Sequence, residues 1–194
     1  MAFPLEGVIS FLFRSKNPMK LSHMALVLTM LLAMPGWAEE EDFALKTIHI
    51  GMIVKDLEQS MKFYKDVVGM VQVDTTEFSV DADFGKKSGL TDSLPIHVQV
   101  LKLGKGENAT QLKLMTFGDK AQPQENEYIH SHTGIQYITI MVNDLTPILE
   151  RIKKHKVKRL GDTPIAMGDN YFVLIQDPDG TFVELIGPIK EAKK

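Results

Sequence analysis

The stretch from His49 to Leu57, HIGMIVKDL, returns as Tyr137 to Leu145, YITIMVNDL. Each phrase alternates apolar and mixed residues, as a strand does: Ile48, Ile50, Met52 and Val54 point one way, and His49, Gly51 and Ile53 the other. Each reaches an acid that can cap a helix, Asp56 with Gln59 three residues on, and Asp144 in the second copy. Apolar residues at helical spacing follow, Leu57, Met61, Tyr64 and Val68 in the first copy and LTPILERIKKHK in the second. A strand backed by one helix has an apolar side it cannot bury well alone, whereas two such units can share a core. The repeat therefore limits the chain to a pair of like modules.

The first module continues past Gly69, which can end its helix, into a strand from about Met70 to Phe78 and a polar, turn-rich stretch, SVDADFGKKSGLTDSLP, that reads as a long loop. IHVQVLKLG and TQLKLMTF then form a hairpin across KGENA. The second module repeats the order without the loop: GIQYITIMV, the helix, a short strand near Lys158 to Thr163, then NYFVLIQ and TFVELIG joined by the turn DPDG. The sequence thus predicts an α+β fold of two tandem βαβββ modules, 46–118 and 134–188, within a domain spanning 45–188, followed by a tail at 189–194.

Residues 1–38 read as an extension and an export signal rather than as fold. Lys20 precedes the uncharged run MALVLTMLLAM, and GWA then leads into EEED, which predicts cleavage near Ala38 and a periplasmic or secreted product. The run is shorter than the roughly 20 residues that cross a bilayer, so no permanent anchor is expected. The chain has no cysteine, which removes disulfides, thiolate metal sites and cysteine nucleophiles together. Its formal charge is −3, and the segment 1–38 carries Arg14, Lys16 and Lys20 against Glu6, so the remainder is more acidic still. No general field for nucleic acid exists. The basic run RIKKHKVKR reads as the solvated end of a helix.

The phrases HIGMIVKDLEQSMKFYKDVVGM and DPDGTFVELIGP, at matched places in the two units, resemble the vicinal-oxygen-chelate superfamily of glyoxalases, bleomycin resistance proteins and extradiol dioxygenases. The resemblance implies that the paired modules curl into a cup-shaped mixed sheet with the helices outside. It also implies a place for a divalent ion in metal-using relatives, held by side chains on the first and last strand of each module. Here those positions fall on His49, Lys113, Tyr137 and Glu184. Parity puts all four on one side of their strands, away from the helix-facing row of Ile50, Leu112, Ile138 and Leu185.

Only His49 and Glu184 are metal-ligand types; an ammonium has no lone pair to give, and a protein zinc site normally takes three protein ligands. The expectation is therefore a weak, incomplete metal site and no resident cofactor, with a divalent metal as the alternative. Lys113 is expected to take over part of the metal's charge by pairing with Glu184, leaving His49 and Tyr137 to move protons. His130 and His132 have ligand spacing but stand in a polar link.

The resemblance implies a domain that binds a small oxygen-bearing organic molecule. The rival readings are a metal-dependent lyase, isomerase or dioxygenase using His49 and Glu184, and a structural domain whose cup is filled by side chains. A homodimer is compatible with all three.

Overall fold

A computed structural model describes residues 43–72 and 77–190; the segment read as an export signal lies outside them. The first module runs β1 (His49–Ile53), α1 (Leu57–Lys62), a π-helical turn (Phe63–Val68), β2 (Glu77–Val80), α2 (Ala82–Ser88), β3 (Ile96–Lys102) and β4 (Gln111–Met115). The second runs β5 (Tyr137–Met141), α3 (Thr146–Lys154), β6 (Ile165–Met167), β7 (Asn170–Gln176) and β8 (Phe182–Gly187). Each module makes a four-stranded sheet, in the orders β1-β4-β3-β2 and β5-β8-β7-β6. In both, the first strand pairs in parallel with the last and the other pairs are antiparallel.

The register turns the sequence repeat into matching geometry. Gly51 sits opposite Lys113 in the first sheet, and Thr139 opposite Glu184 in the second. Ile50, Leu112, Ile138 and Leu185 all join a single core, and Tyr64, Leu114, Leu145 and Ile175 are fully buried in it. Both modules feed this core from their helix-bearing sides, as two half-buried units must.

The capping residues act largely as their chemistry dictates. Asp56 accepts the Gln59 backbone N–H at 3.0 Å and starts α1. Gly69, at φ 96°, closes the helical segment through its N–H to the Tyr64 carbonyl. Asp144 accepts the Thr146 N–H at 2.9 Å, although the residue at the helix boundary is Leu145.

Four local expectations need correction. Ile48 precedes β1 and is 72% exposed, so it does not join the core row. The strand expected from Met70 shrinks to an isolated bridge between Val71 and Lys102, with β2 beginning only at Glu77. The expected long loop holds α2, started by the Asp81 carboxylate on the Phe84 N–H and ended at Gly89, φ 76°. The short strand expected near 158–163 is reduced to an isolated bridge between Arg159 and Ile175, and β6 lies at Ile165–Met167. It begins past Pro164, which has no N–H to give a neighbouring strand.

The turn DPDG is the main tie between the modules. The Asp177 carboxylate is buried and accepts the Tyr64 hydroxyl at 2.9 Å, while its other oxygen takes the backbone N–H groups of Asp179 and Thr181. Asp179 accepts the Lys55 N–H and the Ser60 hydroxyl. From the other side, Arg151 on α3 donates to the carbonyls of Val67 and Val68 at the end of the π-helical turn.

Candidate functional site

β1, β4, β5 and β8 carry His49, Lys113, Tyr137 and Glu184 on the sides of the sheets that face away from the core, as strand parity requires. His49 and Tyr137 are exposed, and Lys113 and Glu184 are half-buried. The two open faces differ in lining. Around Lys113 stand Val98 and Val100, buried in a small second cluster with Ile96 and packed against Met115 and Phe117. Around Glu184, Met141, Ile165 and Met167 are exposed, so the second open face combines this apolar area with the polar groups of Tyr137, Thr139 and Glu184.

Lys113 and Glu184 do not form the expected ion pair. The Lys113 ammonium lies 5.8 Å from the centre of the Phe78 ring, on the far strand of its own sheet, and the Glu184 carboxylate accepts the Thr139 hydroxyl at 2.6 Å. Two deeply buried charges would be expensive apart. Both are instead half-exposed and served by same-sheet neighbours: an aromatic face takes the cation, and the register partner takes the anion. Thr139 was legible in principle, since it stands at the same offset into β5 as Gly51 does into β1. Phe78 was not, because its proximity depends on the pairing of β2 with β3.

The donor set does not fit the divalent ion expected of metal-using relatives. Among the described residues no group of three or more His, Cys, Asp or Glu side chains stands close enough to hold a metal. Lys113 has no lone pair to offer while charged, which leaves His49 and Glu184 as the imidazole and carboxylate of the four, fewer than the three protein ligands a zinc site takes. His132 is bonded through Nδ1 to the Asn126 side chain at 2.7 Å, and the His130 ring stacks on Tyr128. The IHSH pair is thereby used within the link.

A cavity of about 240 Å³ stands between the end of β1, the link at 121–126 and the start of β5, bringing Ile53 of the first strand and Ile135 just before the fifth to one space. His49 and Tyr137 do not line it. A family model for the glyoxalase, bleomycin resistance protein and dioxygenase superfamily matches residues 46–185. The chain belongs to this superfamily. It is 30% identical over 167 residues to a lactoylglutathione lyase of Pseudomonas putida, covering 80% of this chain and 94% of that protein.

Among solved structures, a glyoxalase family protein from Bacillus cereus matches with a TM-score of 0.59 at 15% identity, over 79% of this chain and all of that one. A trypanothione-dependent glyoxalase I of Leishmania major matches with a TM-score of 0.50 at 24% identity, over 72% of this chain and 84% of that one. These two likenesses show the superfamily's paired-module α+β fold.

Proposed function

We propose that this glyoxalase-like domain takes a small oxygen-bearing organic molecule onto its open sheet faces, and does so without the complete metal site of metal-using relatives. The observation that carries the reading is the set of groups at the four matched strand positions. An imidazole, an ammonium, a phenol and a carboxylate all stand on the uncovered side of their strands and are reachable from solvent. Such a set can hold an oxygen with Lys113 and exchange protons through His49 or Tyr137. The Thr139 hydroxyl fixes one Glu184 oxygen and leaves the other to a ligand. The exposed Met141, Ile165 and Met167 supply apolar area for a carbon skeleton or for a second copy of the chain in a homodimer.

The test is mass spectrometry of small molecules that co-purify with the full chain, followed by titration of a panel of small hydroxy- and oxo-acids. Lys113→Met and Glu184→Gln should each weaken binding about tenfold, the loss expected when a charged hydrogen-bond partner disappears. Binding that none of the His49, Lys113, Tyr137 or Glu184 substitutions alters would end this reading.

One observation favours a second reading, a metal-dependent lyase using His49 and Glu184: the 30% identity to a lactoylglutathione lyase over most of that protein. Conversion of the methylglyoxal–glutathione hemithioacetal by the purified chain, abolished by His49→Ala, would support it. Export belongs to the proposal as well. The run Met24–Met34 and the small residues before Glu39 support cleavage near Ala38 and a periplasmic or secreted product, to be checked by the mass of the mature protein.

A further inference from the structure

The basic run Arg151–Arg159 does not finish as a free, solvated helix tip. α3 stops at Lys154, and Lys156, at φ 55°, takes the left-handed conformation usually left to glycine. The Val157 N–H then bonds back to the Ile152 carbonyl, which turns the chain across the helix end. Past this turn, His155, Val157 and Lys158 wall a cavity of about 510 Å³ that they share with Lys62, Phe63 and Val67 of the first module. None of His49, Lys113, Tyr137 or Glu184 lines it.

Its charge is one-sided. The side chains of Lys62, His155 and Lys158 make no hydrogen bond or ion pair among the described residues. Asp177 is the acid on the wall, and it is 6% exposed with its oxygens already taken by the Tyr64 hydroxyl and the N–H groups of Asp179 and Thr181. In a chain of formal charge −3, these cations are a local excess with no counter-charge supplied by the fold. Phe63 and Val67 belong to the core, and together with Val157 and Pro178 they give the cavity an apolar part. Its volume lies within the roughly 300–1,000 Å³ of small-molecule pockets.

We infer that this cavity is a second small-molecule site, separate from the open faces, that takes a phosphate monoester of an apolar group about the size of one aromatic ring. Two lysines match the two charges of such an ester, and the His155 imidazole adds an N–H donor. The apolar wall residues take the ring. A neutral molecule would leave the cations without a counter-charge, and a cation would be repelled.

The test is amide-resolved NMR of the full chain titrated with phenyl phosphate, with phenol, inorganic phosphate and phenyltrimethylammonium as comparison probes. Saturable shifts are expected at Gln59, Lys62, His155, Val157 and Lys158, with a Kd of about 1 mM. Phenol and inorganic phosphate should each bind about tenfold more weakly, and phenyltrimethylammonium not at all. Lys62→Gln and Lys158→Gln change exposed residues that the fold does not depend on, and each should weaken phenyl phosphate about tenfold. Lys113→Met should leave these shifts in place, which separates them from binding at the open faces. Shifts that do not saturate or that scatter over the lysines of the chain would overturn the proposal. So would phenol or inorganic phosphate binding as tightly as phenyl phosphate, unaltered binding in both Lys62→Gln and Lys158→Gln, or loss of the shifts in Lys113→Met.

Discussion

Replacing Tyr64 with phenylalanine removes one atom from the tie between the modules and should be costly for its size. The ring is fully buried and its hydroxyl is the side-chain donor to the Asp177 carboxylate, itself only 6% exposed. Burial pushes the Asp177 pKa above its ordinary value of 3.8, while the Tyr64 hydroxyl and the N–H groups of Thr181 and Asp179 pull it back and the Asp179 charge adds to the rise. Burial likewise holds the Tyr64 hydroxyl well above its ordinary pKa, so it stays a donor across the neutral range.

A hydrogen bond to a charged group contributes about 1.5–3 kcal/mol, and Tyr64→Phe should lose that much at pH 7. For a domain of this length the loss lowers Tm by about 4–10 °C. The pH dependence follows from linkage. With its folded-state pKa raised, Asp177 favours the fold most below 3.8, and that contribution is lost as pH rises through the folded-state value. Removing the hydroxyl raises the folded-state pKa further, so the penalty should be largest at neutral pH and shrink on acidification past both values. Urea melts followed by circular dichroism at pH 7 and at about pH 3, below the ordinary value and so below the raised one, give both numbers. A penalty that stays constant or grows on acidification would refute this account of the junction.

Two further substitutions probe packing within the second module and the contact between the modules. A Cβ at Gly187 would collide with the backbone carbonyl of Val142, so Gly187→Ala should destabilise by about 1–3 kcal/mol in thermal melts, unlike Gly106→Ala, where the space is open. Arg151→Met strips both donors from the Val67 and Val68 carbonyls and should cost about 1–3 kcal/mol. Lysine at 151 should recover only part of that, because it lacks the fork that reaches two carbonyls.

The sequence made the module repeat and the core row legible because strand alternation and helix spacing are local patterns, and the observed register of Ile50 with Leu112 and Ile138 with Val183 obeys them. It also located His49, Lys113, Tyr137 and Glu184 on the uncovered side, since parity alone decides that. It did not reveal α2, whose Asp81 cap and αL Gly89 are hidden in a stretch that reads as turns. Nor could it disclose what each charged group touches. The seating of Lys113 at Phe78 and the burial of Asp177 under Tyr64 both depend on contacts between residues far apart in the chain. DPDG illustrates the difference: the turn was evident, but its role in tying Tyr64, Ser60 and Lys55 to the other module was not.

Whether the four strand positions bind without a complete metal site is read from the divalent-metal content of the purified full chain after dialysis against metal-free buffer. Far less than one ion per chain is the expected content of the unaltered protein. One tightly held ion per chain in the unaltered protein, lost on His49→Ala or Glu184→Gln, would contradict it.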